Sequence, residues 1–329
     1  SFKLKGDFEM QKIILKLKVF PLLIFLFVLA QPPVTIAAEL YFVDAHSQMD
    51  DGVDQKTVIK LMDQGGVYRT ILAARQGRSP KDVIKFNSAY PERIIPSVTT
   101  KKWGYAQPLE SRHKKYYRAL RNQLKSGRFR AMAEVLMWHD GCPNDKCPSI
   151  IVRANDKRVR AALKGALANE WPFVVHIEFG SLPGSSFKNF MDDLKGMLDA
   201  NPDHPFSLIH MGQLEHAEVQ KLIKAHKNIY FLAAHANPFA VAAAKGIKPW
   251  VDLFEEKKFA PPWRKLILEH PDRFIFALDN VWGEKHWVTD MYMSQINIWR
   301  SALSDLPENV ANAVAHGNAE RLWKISPKP

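Results

Sequence analysis

The chain of 329 residues is long enough to bury a substantial core, as one large domain or two ordinary ones. Apolar residues make up 47% and charged residues 24%, which excludes a disordered chain and a multi-span membrane protein. The formal charge of +12 is scattered through helical stretches without a nucleic-acid-binding motif, so it reads as a solvated basic face attracted at most to anionic envelope surfaces.

From Met10 the chain passes through Lys12, Lys16 and Lys18 into an apolar run around residues 19–30, and then reaches small residues at Ala37 and Ala38. That order is a secretory signal pattern and predicts a periplasmic or secreted chain beginning at Glu39. The alternative is an uncleaved anchor, the only route by which this chain would contact a membrane; the run is short for a span and Pro21 interrupts it. Setting aside residues 1–38, with five lysines and two acids, lowers the charge to +9.

Beyond residue 39 short β-branched or aromatic runs alternate with longer amphipathic ones. The apolar runs are 40–46, 68–74, 93–99, 129–137, 172–179, 205–211, 229–235 and 273–279. Helical patterns lie between them at 54–66, 79–91, 107–126, 156–170, 186–202, 214–226 and 261–271, several opening on Asp, Ser or Pro and closing near Gly or Asn-Pro. Eight strands alternating with helices predict an α/β fold, a (β/α)8 TIM barrel, in place of an open doubly wound sheet, and no GxGxxG follows the first strand. Two extra C-terminal helices, roughly 286–304 and 307–324, complete a single domain over residues 39–329. Cys142 and Cys147 in GCPNDKCP are too few for a zinc ribbon; in an exported chain they predict a small disulfide-closed loop, the alternative being two free thiols.

Barrel sites form at the C-terminal ends of strands. Those ends carry Asp44, His46 and Gln48 on the first, Glu134 on the fourth, His176 and Glu178 on the fifth, His210 on the sixth, His235 on the seventh and Asp279 on the eighth. Strand alternation lets Asp44, His46 and Gln48 share a face, and likewise His176 and Glu178. Imidazoles and carboxylates in this number suit a divalent metal that acidifies a bound water, and they supply an acid and a base in His210 and Asp279. Arg75, Lys101, Lys102 and Trp103, on loops of the same rim, suit an anionic group of a small-molecule substrate, or are solvated loop residues. His139 and Asp140 lie just beyond the fourth strand. Trp282, Trp287 and Trp299 read as core or pocket walls, and His316 as structural.

DAHSQ (44–48), VVHIE (174–178), LIHMG (208–212), FALDN (276–280) and GNAERLW (317–323) together resemble the amidohydrolase superfamily, in its amidohydrolase-related branch of hydrolases, lactonases and decarboxylases. The resemblance runs from about residue 40 to 325. It implies that His46 and His176 are metal ligands, that Asp279 is both ligand and general base, and that His210 ligates or polarises substrate. It also implies a ligand role for Glu134, whose other reading is an ion pair with Arg130, while His235, Arg75 and Trp103 are left to the substrate. The chain departs from the pattern at the first strand, where His-Ser-Gln replaces His-x-His. Gln48 offers only a neutral amide oxygen, so affinity for zinc, the metal expected first, should be reduced. Three functions follow: an exported metal-dependent hydrolase of a C–N or C–O bond, a metal-independent lactonase-like hydrolase or decarboxylase, and a catalytically silent barrel that binds a ligand or envelope partner.

Overall fold

The first strand, β1 (Phe42–Met49), shows why the ring forms. All eight of its residues are buried, because one side meets helices and the other meets the ring's interior. The computed structural model describes residues 40–141, 149–244 and 246–329; the signal segment and both cysteines lie outside them. The chain continues through α1 (Gln55–Gly65), β2 (Val67–Ala74), α2 (Pro80–Ala89), β3 (Ile94–Val98), α3 (Lys114–Lys125), β4 (Ala131–Met132), β5 (Val135–His139), β6 (Ile150–Ile151), α4 (Lys157–Asn169) and β7 (Phe173–Ile177). It then forms α5 (Gly184–Ala200), β8 (Phe206–Ile209), α6 (His216–Ala225), β9 (Ile229–Leu232), α7 (Pro238–Ala244), β10 (Phe254–Glu255), β11 (Lys258–Phe259), α8 (Pro261–Glu269), β12 (Phe274–Ile275), α9 (Thr289–Leu303), α10 (Glu308–Asn312) and α11 (Asn318–Trp323).

The expected local signals set the helix ends. Asp54 caps α1 by accepting from the Thr57 backbone N–H at 2.8 Å, and Gly66 ends it in the left-handed region at φ 66°. Ser79 and Asp82 form a capping box on α2 with Pro80 in its first turn. The helix expected from Gln107 starts later. Pro108 precedes a short 3-10 turn at Glu110–His113, and α3 runs from Lys114. The short strand β6, the β10–β11 hairpin and α7 have no counterpart in the sequence pattern.

All eight apolar runs are staves of one barrel. β1, β2, β3 and β4 pair in order as parallel neighbours, and β5, β7, β8, β9 and β12 do the same. β4 and β5 are successive pieces of the fourth stave. Hydrogen bonds join the eighth stave to the first: Ala45 N to Phe276 O at 3.1 Å, Asp279 N to His46 O at 2.8 Å, and Gln48 N to Asn280 O at 2.8 Å. The chain is therefore a closed (β/α)8 barrel with extra C-terminal helices.

Inside the ring Val43, Ile71, Ile95, Ala131, Val174, Ile209, Leu232 and Ile275 pack together, one from each stave. Ala319, Leu322 and Trp323 of α11 close this inner core from below. A single π-turn at Ala313–Gly317 leads into α11, and there His316 stacks on Tyr41 at 3.9 Å and bonds Glu320 at 3.0 Å. Trp299 lies in the core against Phe254, Phe259 and Phe276.

Asp44 departs from the expected alternation. The pairing of β1 with β2 is irregular between Asp44 and Ser47, so Asp44 does not join His46 and Gln48. Its fully buried carboxylate accepts from Ser47 Oγ (2.6 Å), Thr70 Oγ1 (2.9 Å), Leu278 N (2.9 Å) and His46 N (3.3 Å), tying the first, second and eighth staves together. Burial outweighs these bonds and pushes its carboxyl up to about 6. Asp44→Ala leaves four buried donors without their acceptor and should destabilise the fold by about 3 kcal/mol, against about 1 kcal/mol for Thr70→Val. Urea unfolding of both variants measures this; an unmoved Asp44→Ala midpoint would show that the bond set does not hold the ring.

Candidate active site

The C-terminal rim of the barrel gathers six histidines. His46, His139, His176, His210 and His235 come from staves 1, 4, 5, 6 and 7, and His286 from the loop after stave 8. His210, His235 and Asp279 take left-handed backbone angles, φ 56°, 57° and 48°. Non-glycine residues hold such angles at a cost of about 1–3 kcal/mol, so the packing around three consecutive stave ends turns these side chains at the expense of local strain.

Asp279 stands at the centre, 4% exposed. Its Oδ1 lies 3.6 Å from His46 Nε2 and accepts from the Gln48 amide at 2.8 Å; its Oδ2 lies 3.7 Å from His210 Nε2 and 3.8 Å from His235 Nδ1. Glu134, from the loop between β4 and β5, completes the other side. Its Oε1 is 3.6 Å from His46 Nε2, accepts from Gln48 at 3.3 Å and pairs with Lys101, while its Oε2 accepts from His176 Nδ1. Among the described residues the guanidinium of Arg130, the alternative partner for Glu134, bonds the Gly127 and Phe129 carbonyls and not Glu134. His176 Nε2 reaches Glu178 Oε1 at 3.3 Å, and Glu178 Oε2 accepts from Lys248 at 2.6 Å and from Asp140 N at 2.8 Å.

Protonation states follow from these contacts. Burial opposes charge on Glu134, but Lys101 and His176 overcome it and hold the carboxyl well below its usual range. Asp279 is lowered in the same way, burial being outweighed by His235 and His46. Burial also opposes charge on His176, yet Glu134 and Glu178 raise it to about 9, so at neutral pH it is an imidazolium between two carboxylates. His210 behaves oppositely, pushed down to about 3 by burial and by His176 and His235. Its Nδ1 faces the Ala234 carbonyl at 3.1 Å and must carry the proton, which leaves the Nε2 lone pair facing Asp279. His235 Nε2 faces the Asp279 carbonyl at 3.1 Å, and its Nδ1 is buried with no hydrogen-bond partner among the described residues.

These donors suit a metal ion. His46 Nε2 is buried without a hydrogen-bond partner among the described residues, 3.6 Å from one oxygen each of Glu134 and Asp279. A tetrahedral ion with bonds of about 2.1 Å spaces its ligands by roughly 3.4 Å, close to that separation. Glu134, His176 and His210 form a second such group, and His210, His235 and Asp279 a third. Gln48 donates its amide to both carboxylates that face His46, so its nitrogen, and not its oxygen, is turned to them.

The loop cations divide. Arg75 lies over Trp282 at 5.3 Å, its Nη1 buried and without a partner among the described residues, and Lys102 is committed to the carbonyls of Arg75 and Arg78. Trp103 packs against the hydrophobic core, and among the described residues no hydrogen bond or ring contact joins it to the histidines. Trp287 donates to the Gln48 carbonyl at 3.1 Å, fixing the end of the first stave. Three residues of this rim escaped the sequence reading: Lys248, Trp250, whose ring lies 4.7 Å from that of His210, and His286, 5.6 Å from His235.

No curated protein matches the sequence. Among solved structures, an uncharacterized TIM-barrel protein from Bordetella bronchiseptica is 14% identical, with a TM-score of 0.53 over 87% of this chain and 99% of that one. A dihydroorotase from Campylobacter jejuni is 9% identical, with a TM-score of 0.50 over 88% and 85%. An amidohydrolase from Burkholderia multivorans with bound zinc is 13% identical, with a TM-score of 0.48 over 87% and 100%. At these identities the likeness is one of fold. The amidohydrolase family (Amidohydro_2) matches residues 61–325, most of the barrel and its closing helix, and the chain belongs to that family of hydrolases.

Proposed function

We propose that the chain hydrolyses a C–N or C–O bond of a small molecule at the rim site, with Asp279 as general base. The observation that carries this is the placement of Asp279: one carboxylate oxygen faces His46 and the other faces His210 and His235, and the Asp279 side chain is buried. Kept ionised by its neighbours, Asp279 accepts a proton from the attacking water and is in place to pass it to the leaving group. His210 is neutral at working pH with its lone pair inward, so it serves as a ligand or a proton acceptor and donates to a developing oxyanion only after taking up a proton.

His46, Glu134 and Asp279 would hold a divalent ion, zinc in the first instance, with Gln48 beside it, and His176, which shares Glu134 with them, is the further ligand the proposal adds. Such an ion supplies an acidified water and an electrophile for the scissile carbonyl. A second reading draws on Lys101, whose ammonium sits on Glu134 while the Gln48 amide bonds Asp279 and Glu134. Those donors already balance the carboxylates. A metal-independent lactonase-like hydrolase or decarboxylase would keep Asp279 as base and leave Arg75, with its free buried nitrogen, for an anionic substrate group. Export is part of the proposal and rests on the basic and apolar segment before Glu39.

Elemental analysis of the protein purified without chelator should find close to one zinc, manganese or iron per chain, lost in His176→Ala. Asp279→Asn should lower kcat/KM on lactones, amides and esters by about a thousandfold. Activity without metal that still needs Asp279 would establish the second reading, and neither metal nor turnover would leave a ligand-binding barrel.

Loading must displace the His176 proton, which Glu134 and Glu178 hold up to about 9. Affinity for Mn2+ should therefore rise with pH, about tenfold per unit between pH 6 and 8, with one proton released per ion. Calorimetry in two buffers of different ionisation enthalpy reads that proton directly; a pH-independent affinity would remove His176 from the ligand set. Mass spectrometry of protein recovered from the periplasmic fraction should place its N-terminus at Glu39, and an intact segment upstream would contradict cleavage there.

A further inference from the structure

Three consecutive residues of the loop between α7 and β10 reach across the barrel rim. Lys248 extends to stave 5, where its ammonium pairs with Glu178 Oε2 at 2.6 Å and donates to the Asp140 carbonyl at 2.5 Å. Pro249 lies on Gly180, at whose position a Cβ would come within 3.0 Å of the proline ring and 3.1 Å of Gln213 Cβ, so a side chain there would lift the loop. Trp250 donates its backbone N–H to the Lys248 carbonyl at 2.9 Å, which turns the indole back over the site. Its ring lies 4.7 Å from that of His210 and 5.3 Å from that of His235, and these two imidazoles stack on each other at 5.0 Å.

We infer that Trp250 is the access-limiting wall of the candidate site and that Lys248, anchored on Glu178, holds it there. The inference builds on the proposed function in one respect, that substrate must reach the side of Asp279 faced by His210 and His235. His210 is only 4% exposed, and among the described residues the indole is the one aromatic ring that lies against both imidazoles. The anchor is a single charged side chain in a partly buried ion pair. Its loss frees the loop without removing a direct contact to His210 or His235, whereas loss of the indole opens the space directly.

The test needs no substrate. Wild type, Trp250→Ala and Lys248→Met are treated with diethyl pyrocarbonate, and modification of His210 and His235 is followed by mass spectrometry relative to His270, which lies at the end of α8. Unfolding midpoints monitor the fold. The expected result is a rise of at least tenfold in labelling of His210 and His235 in Trp250→Ala and a smaller rise in Lys248→Met, with His270 unchanged. Labelling at the wild-type rate in Trp250→Ala would overturn the wall, and a rise in that variant alone would overturn the anchor. Because labelling is read without turnover, a failed hydrolysis screen leaves this result standing.

Discussion

The joint between the first and eighth staves is the contact on which the site depends. A barrel of eight staves has one seam that the chain must close without a connecting helix, and here Asp44 closes it from the first stave. Three backbone hydrogen bonds continue the seam upward, the last two of them flanking His46 and Gln48 on one side and Asp279 and Asn280 on the other. A shift of one residue along this seam would turn Asp279 away from His46, because side chains alternate along a strand. The buried carboxylate thus sets the register that makes the rim chemistry available.

The rim itself is a problem in charge balance. Asp279, Glu134 and Glu178 bring three negative charges into a region nearly without water, and Lys101, Lys248 and protonated His176 bring three positive ones. Burying unpaired charge costs several kcal/mol per ion, so each carboxylate has to find a partner. A divalent ion entering this set must replace positive charge already present, through the proton on His176 or the ammonium of Lys101. Gln48 contributes to the same balance without adding charge, which accounts for its amide nitrogen facing the carboxylates where the family pattern has a second imidazole.

Much of this was legible in the sequence, and what was hidden has physical reasons. The eight apolar runs became eight staves because β-branched and aromatic residues suit a strand buried on both faces. That His46, His176, His210 and Asp279 would lie together was readable because barrel geometry brings stave ends together whatever the loops do. Strict alternation puts Asp44 on the same face as His46 because it assumes an unbroken strand, and the irregularity before Ser47 leaves no mark on composition. Lys101 and Lys102 are adjacent and chemically alike, yet the backbone sends one to Glu134 and the other to two loop carbonyls. Lys248, Trp250 and His286 lie in connections without periodicity, so only the tertiary fold reveals that they reach the histidines.

The floor of the barrel has a consequence for the order of assembly. Ala319, Leu322 and Trp323 complete the inner core, yet they follow all eight staves in the chain. During synthesis the ring therefore stands with an open, apolar lower end until these residues leave the ribosome, and the seam between first and last stave also waits for a partner made late. Incomplete barrels of this kind expose surface that aggregates. A chain cut before Ala319 would keep every stave and still leave that floor uncovered.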